Sequence, residues 1–242
     1  MEIFGGMGEI ISALFGNDAW MLADALRANA PSAWVLGLLI TLLGGYLTAQ
    51  MYRHVPLTER YLEPTVMVVS YLAIGAIIFS GVIQRFGSVP DFLVGSWLGD
   101  LLAPYLAGQP SWSTTLPPFL FLVMTWVGCS WNVKLRTHLA FAEFRTAMPR
   151  GGQFACLVLD AVLWLGFAWI VIVTAGKETV NAASNFRIML GTDNVMQWWF
   201  LISVPLAWIL LSGRVIENLM DDVARYRSGG PMIERAVIGG DA

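Results

Sequence analysis

The chain has 242 residues, of which 57% are hydrophobic and only 13% charged, and its mean hydropathy is +0.64. About a quarter of the residues of a soluble globular chain are charged, so this composition cannot surface a soluble enzyme, and its many aromatics argue against a disordered chain. The formal net charge of −3 provides no basic field to attract nucleic acid.

Taken in chain order, Met1 to Ile11 lacks a basic stretch followed by an apolar run, so no cleavable leader is expected. Asn17 to Ala30 reads as a short amphipathic helix. A membrane span needs ~20 mostly apolar residues, at a rise of ~1.5 Å each. Five stretches qualify: Pro31–Tyr52, Thr65–Ile83, Leu116–Val133, Phe154–Ala175 and Val195–Gly213. Backbone polar groups in lipid must be satisfied internally, so each is expected to be a helix. Glu63-Pro64 reads as the start of the second, with proline near a first helical position. Ser113 to Thr115 and Thr192 to Asn194 offer caps before the third and the last. Pro205 should kink the last.

The connections carry further elements. Within Phe86–Thr115, Val94, Leu98, Leu101 and Tyr105 recur at helical spacing and read as a short interfacial helix. Thr137–Met148 reads as another, ended by Pro149 and Gly151-Gly152. The expected fold is therefore an all-α integral membrane protein. It has a four-helix transmembrane core, an added N-terminal apolar helix that makes five spans, and short interfacial amphipathic helices. The expected organisation is an extension at 1–56, a membrane domain at 57–227 and a flexible tail at 228–242.

Lysine and arginine give the orientation, because cytoplasmic loops hold their excess. Ten fall on one side: Arg53, Arg60, Lys134, Arg136, Arg145, Arg150, Arg214, Arg225, Arg227 and Arg235. Four fall on the other: Arg27, Arg85, Lys177 and Arg187. This puts the C-terminus in the cytoplasm and the long 86–115 connection outside. If Pro31–Tyr52 lies flat, four spans remain and the later loops keep their sides. Trp34, Trp112, Trp198 and Trp199 fall near outer ends of spans and Trp131 near an inner one, either as an interfacial belt or as packing surfaces.

Little chemistry is on offer. Asp160 reads as the only charge well inside a span. Intramembrane carboxylates are functional hypotheses by default, but Lys134, Arg136 and Arg214 should lie at similar depth. A structural ion pair is thus weighed against an ion or proton role. His138 has no second ligand at metal spacing and is read as interfacial or structural. Cys129 and Cys156 belong to no CxxC pair and read as inert thiols. Walker, GxSxG and HExxH motifs are absent from the sequence. No catalytic residue, cofactor or metal is expected, and a chain with so few polar groups in its spans reads as a partner subunit.

Several spaced motifs point further. Glu59-Arg60-Tyr61-Leu62-Glu63 precedes a span that ends in Val82-Ile83-Gln84-Arg85-Phe86. Pro110-Ser111-Trp112-Ser113 follows, then Phe119 to Gly128 with Trp126, and Leu135-Arg136-Thr137-His138-Leu139-Ala140-Phe141. Met148-Pro149 and Pro205-Leu206-Ala207-Trp208 complete the series. In this order the segment from Glu59 to Arg227 resembles the small membrane subunit of tripartite ATP-independent periplasmic (TRAP) transporters.

The resemblance implies a non-enzymatic role in sodium-coupled transport of organic acids. The large permease subunit holds the sodium and substrate sites, and a periplasmic solute-binding protein delivers a carboxylate-bearing solute. The small subunit supports the static scaffold in the bacterial inner membrane and enlarges the docking face. Arg85, Arg136 and His138 match motif positions and are expected, with Trp112, Trp126, Asp160 and Arg214, to serve structure, membrane depth or subunit contacts. The sequence departs from the family in its 1–56 extension, in its long 86–115 connection, and in Ser113-Thr114-Thr115 where an acidic residue often follows Ser-Trp. The alternative is an accessory subunit of the same fold on another membrane complex, respiratory or photosynthetic. An intramembrane enzyme and an independent channel are weaker alternatives.

Overall fold

Long apolar runs without nearby backbone partners close their hydrogen bonds within helices, and the chain follows this rule. The computed structural model describes residues 2–16, 18–86, 94–106, 111–136, 148–192 and 194–232. In order, the helices are α1 (Glu2–Phe15), α2 (Ala19–Ala28), α3 (Ala30–His54), α4 (Pro56–Phe86), α5 (Trp97–Leu106), α6 (Trp112–Lys134), α7 (Arg150–Ser184) and α8 (Trp198–Ser228). Five of these, α3, α4, α6, α7 and α8, are long and apolar enough to cross a membrane. Among the described residues there is no strand, only an isolated bridge between Ile188 and Met196. The expected five apolar helices, the amphipathic helix after Asn17 and the short helix within 86–115 are all present. The expected helix at 137–148 lies almost wholly outside the described residues.

The helix ends differ from the sequence reading in physically instructive ways. α4 begins at Pro56, so Pro64 lies inside it. Two prolines competed for the N-terminal position; Pro56 takes it, and Pro64 leaves the Arg60 carbonyl without its helical donor. The consequence is large, because Glu63 moves from a loop into a span. α6 starts at Trp112, so Ser113 to Thr115 are helical. Thr192 and Asn194 do not cap α8, which starts at Trp198. Instead, Met189 donates to the Val195 carbonyl at 2.9 Å and Gln197 to that of Arg187 at 2.9 Å. Gly191 and Asn194, at φ 79° and 60°, make that turn possible. Pro205 cannot donate to the Leu201 carbonyl, and the helix is interrupted beside it at Ile202.

α8 packs against α3, α6 and α7, while α4 packs against α6 and α3. Trp208 of α8 anchors the apolar core. It is 2% exposed and meets the rings of Trp126, Trp164 and Phe167 at centroid distances of 5.5, 6.3 and 5.1 Å. α4 is inverted relative to a soluble helix. It buries Glu63, Ser70 and Gly81 and exposes Val68, Val69, Leu72, Ile78, Phe79 and Val82. Small and polar residues inside with large apolar residues outside is what lipid as solvent demands.

α3 makes a close crossing with α8. Thr41 and Thr48 donate to the carbonyls of Gly37 and Gly44, both at 2.8 Å, around a wide π turn at Ile40–Gly44. Its second half lies on α8 through Gly45 and Gly213. A Cβ at Gly213 would stand 2.7 Å from Thr48 Cβ and 3.3 Å from the Ala49 nitrogen. Gly213→Leu should therefore cost about 1–3 kcal/mol by overpacking. Gly75→Leu, with nothing within 4 Å of the added carbon, should be neutral. Thermal unfolding in detergent checks this; equal midpoints for the two variants would refute the close crossing.

Candidate functional site

Four helices meet at one carboxylate. Glu63 of α4 and Arg214 of α8 both have fully buried side chains. Arg214 grips Glu63 with two donors, Nη2 to Oε2 at 2.6 Å and Nε to Oε1 at 3.2 Å. Oε1 also accepts from Tyr52 of α3 at 3.0 Å and from Ser130 of α6 at 2.7 Å. The remaining guanidinium donors reach Glu217 Oε2 at 3.0 Å and the Glu59 carbonyl at 3.2 Å. The guanidinium also lies over the Tyr52 ring, 3.5 Å from its centroid. An unpaired ion here would cost several kcal/mol of desolvation. Bidentate pairing with filled donors and acceptors offsets that cost.

A ring of charges surrounds the end of the bundle next to this cluster. Lys134 pairs with Glu59 at 3.0 Å, Arg53 with Asp221 at 2.6 Å and Arg136 with Asp222 at 2.8 Å. Arg136 sits at φ 53°, a left-handed conformation that costs a non-glycine residue about 1–3 kcal/mol. Its ion pair and its bond to the Asn218 carbonyl hold it there. Asn218 in turn donates to the Val133 carbonyl at 2.9 Å, closing the C-terminus of α6. Arg150 donates to the Arg225 and Tyr226 carbonyls at 3.0 and 2.7 Å, where the α8 helix dipole favours a cation.

The other end is tied by hydroxyl–carbonyl bonds, by aromatics and by the ion pair of Arg187 with Glu178 at 2.5 Å. Ser111 and Thr115 donate to the carbonyls of Gly191 and Leu190 at 2.9 and 3.0 Å. Trp169 donates to the Trp34 carbonyl at 2.8 Å with the rings edge to face. Arg27 bonds Asn181 at 3.2 Å.

The sequence candidates scatter across this frame. Arg214 is central to it, and Arg136 belongs to the charged ring. Trp126 packs on Trp208 in the apolar core. Arg85 is exposed at the far end of α4, over the Phe86 ring, and Trp112 opens α6 at that same end. His138 lies outside the described residues. Asp160 is half-buried on α7. It is not the only charge within the long apolar helices, because Glu63 and Arg214 lie inside α4 and α8 and are fully buried. Lys134, Arg136 and Arg214, expected at a depth similar to Asp160, pair with Glu59, Asp222 and Glu63. Sequence reasoning missed Glu63, Tyr52 and Ser130. The Glu59/Glu63 spacing of one helical turn was the available signal, and the Pro64 assignment hid it. Among the described residues, no group of three or more His, Cys, Asp or Glu could hold a metal ion. Cys129 and Cys156 are free and half-buried.

A chain of five apolar helices whose buried charges neutralise one another is a multi-pass membrane protein. A family model for the tripartite ATP-independent periplasmic transporters, DctQ component, matches residues 93–225. The chain belongs to this family of TRAP transporter small permease subunits, which are non-catalytic. It is similar to the sialic acid TRAP transporter small permease protein SiaQ of Vibrio cholerae, with 25% identity over 137 residues, covering 55% of this chain and 78% of the relative. No solved structure matches the chain. Association with a large permease and a binding protein is general to such subunits.

Removing one partner of a buried pair leaves the other charge stranded. Glu63→Leu or Arg214→Met alone should cost about 3–5 kcal/mol, and the double variant should recover most of that loss. Tyr52→Phe and Ser130→Ala should each cost about 1 kcal/mol. A double-mutant cycle on unfolding in detergent measures the coupling, and additive single effects would rule it out.

Proposed function

We propose that this chain is the scaffolding small subunit of a sodium-coupled TRAP-type transporter for organic acids. It packs against a large permease subunit in the bacterial inner membrane, and its outer end helps dock a periplasmic solute-binding protein. The observation that carries this reading is the closure of the buried charges: Glu63 and Arg214 satisfy each other. A charge whose bonds are already filled is poorly suited to bind and release ions, so the transported species belong to the partner. Family membership and the Vibrio cholerae relative's solute, sialic acid, support the organic-acid class.

The C-terminus is cytoplasmic in this reading. Support comes from Arg53, Lys134, Arg136, Arg150, Arg225 and Arg227, which gather on helix ends at one side of the bundle. Arg85, Trp112 and His138 set membrane depth or contact the large subunit. Trp126 and Arg214 hold the internal frame, and Asp160 is assigned to structure rather than to ion coupling.

Two measurements test the reading. Affinity purification in mild detergent should bring down a large permease in equal amount. A different complex, respiratory or photosynthetic, without any large permease would overturn the assignment. In a background with Cys129 and Cys156 replaced by alanine, Gly16→Cys should react with an impermeant maleimide from outside the cell. Arg227→Cys should react only after permeabilisation, and the reverse pattern would invert the topology.

A further inference from the structure

At the charged end, α3 and α8 leave a groove of ≈ 390 Å³ lined by Arg53, Leu219, Met220, Val223, Ala224 and Arg227. The volume falls in the range of small-molecule sites. The five α8 residues recur one turn apart and so share a face. The walls are thus mixed: four apolar side chains on one helix, and two arginines. Arg53 gives one N–H to Asp221 at 2.6 Å, which steadies its guanidinium, and four further N–H donors remain on such a group. Asp221 offsets the Arg53 charge. Arg227 is exposed and makes no hydrogen bond or ion pair to the described residues, so the uncompensated positive charge is its own.

The position selects the ligand. The groove opens where two helices long and apolar enough to span a membrane end on the basic side, which, in the membrane placement proposed above, is the level of the phospholipid phosphates. A soluble phosphate would use the arginines and leave Leu219, Met220 and Val223 uncovered. A phosphate carrying acyl chains satisfies both halves. We propose that this groove binds an anionic glycerophospholipid, its headgroup phosphate on Arg227 and Arg53 and its first acyl carbons against Leu219, Met220, Val223 and Ala224. Arg53 lies on α3, outside residues 93–225, so the site depends on the N-terminal segment of this chain.

The test is retention of lipid by the full-length protein, extracted from phosphatidylcholine nanodiscs doped with phosphatidylglycerol and read by native mass spectrometry. The wild type should keep phosphatidylglycerol in preference to phosphatidylcholine. Arg227→Gln should lower that preference about fivefold, the effect of one basic residue near an anionic surface, and Arg53→Gln/Arg227→Gln should lower it further. Lys177→Gln, at the opposite end, should leave it unchanged, and soluble glycerol 3-phosphate should not displace the lipid. Three results would overturn the proposal: no preference in the wild type, full preference in Arg227→Gln, or complete displacement by glycerol 3-phosphate.

Discussion

A buried carboxylate in a lipid-facing bundle must be neutralised where it lies, and the arrangement of this protein follows from how Glu63 meets that demand. Four helices each bring one group to it. α8 contributes Arg214, α3 contributes Tyr52, α6 contributes Ser130, and α4 carries the carboxylate itself. Apolar packing between helices in lipid gains little from the hydrophobic effect, because the tails outside are as apolar as the interface. Directional bonds therefore set the register between helices. A slide of one turn along α8 would withdraw Arg214 from Glu63 and strand two charges. The close crossing of Gly45 and Gly213 lies on the same α3–α8 contact, so steric fit and electrostatics fix one register together.

The two ends of the bundle are then held differently. The basic end is held by several ion pairs and by arginine on helix carbonyls. The opposite end is held by hydroxyl–carbonyl bonds, by tryptophans with Lys177 over the Trp34 ring, and by the Arg187–Glu178 ion pair. α7, at 35 residues, is about 50 Å long by helical rise and exceeds the ~30 Å hydrocarbon layer. Its ends project far enough to carry Arg150 to the C-terminus of α8 and Asn181 to α2.

Much of this frame was legible in the sequence, because hydropathy and lysine–arginine asymmetry report directly on the solvent around each segment. The spans, the helix after Asn17 and the short helix that contains Tyr105 needed no tertiary information. The cluster was not legible, for a local reason. Proline before a polar-to-apolar boundary is a sound start signal, and Val55-Pro56 and Glu63-Pro64 both carry it. Reading the second put Glu63 in water and left Asp160 as the apparent lone intramembrane charge. Ser130 and Tyr52 had no signal of their own: a serine in a membrane helix commonly bonds its own backbone, and only the tertiary fold turns this one toward Glu63. α1 escaped notice because its three glycines and two acids blur an otherwise apolar pattern.

In the proposed role, the buried charges serve the fold and take no part in moving ions. Sodium-driven uptake into proteoliposomes holding the complete transporter tests it most directly, with Glu63→Leu/Arg214→Met in this subunit. Uptake should stay close to that of the wild type wherever the complex assembles. An assembled complex that binds its delivery protein yet has lost sodium-driven uptake would contradict the proposed role.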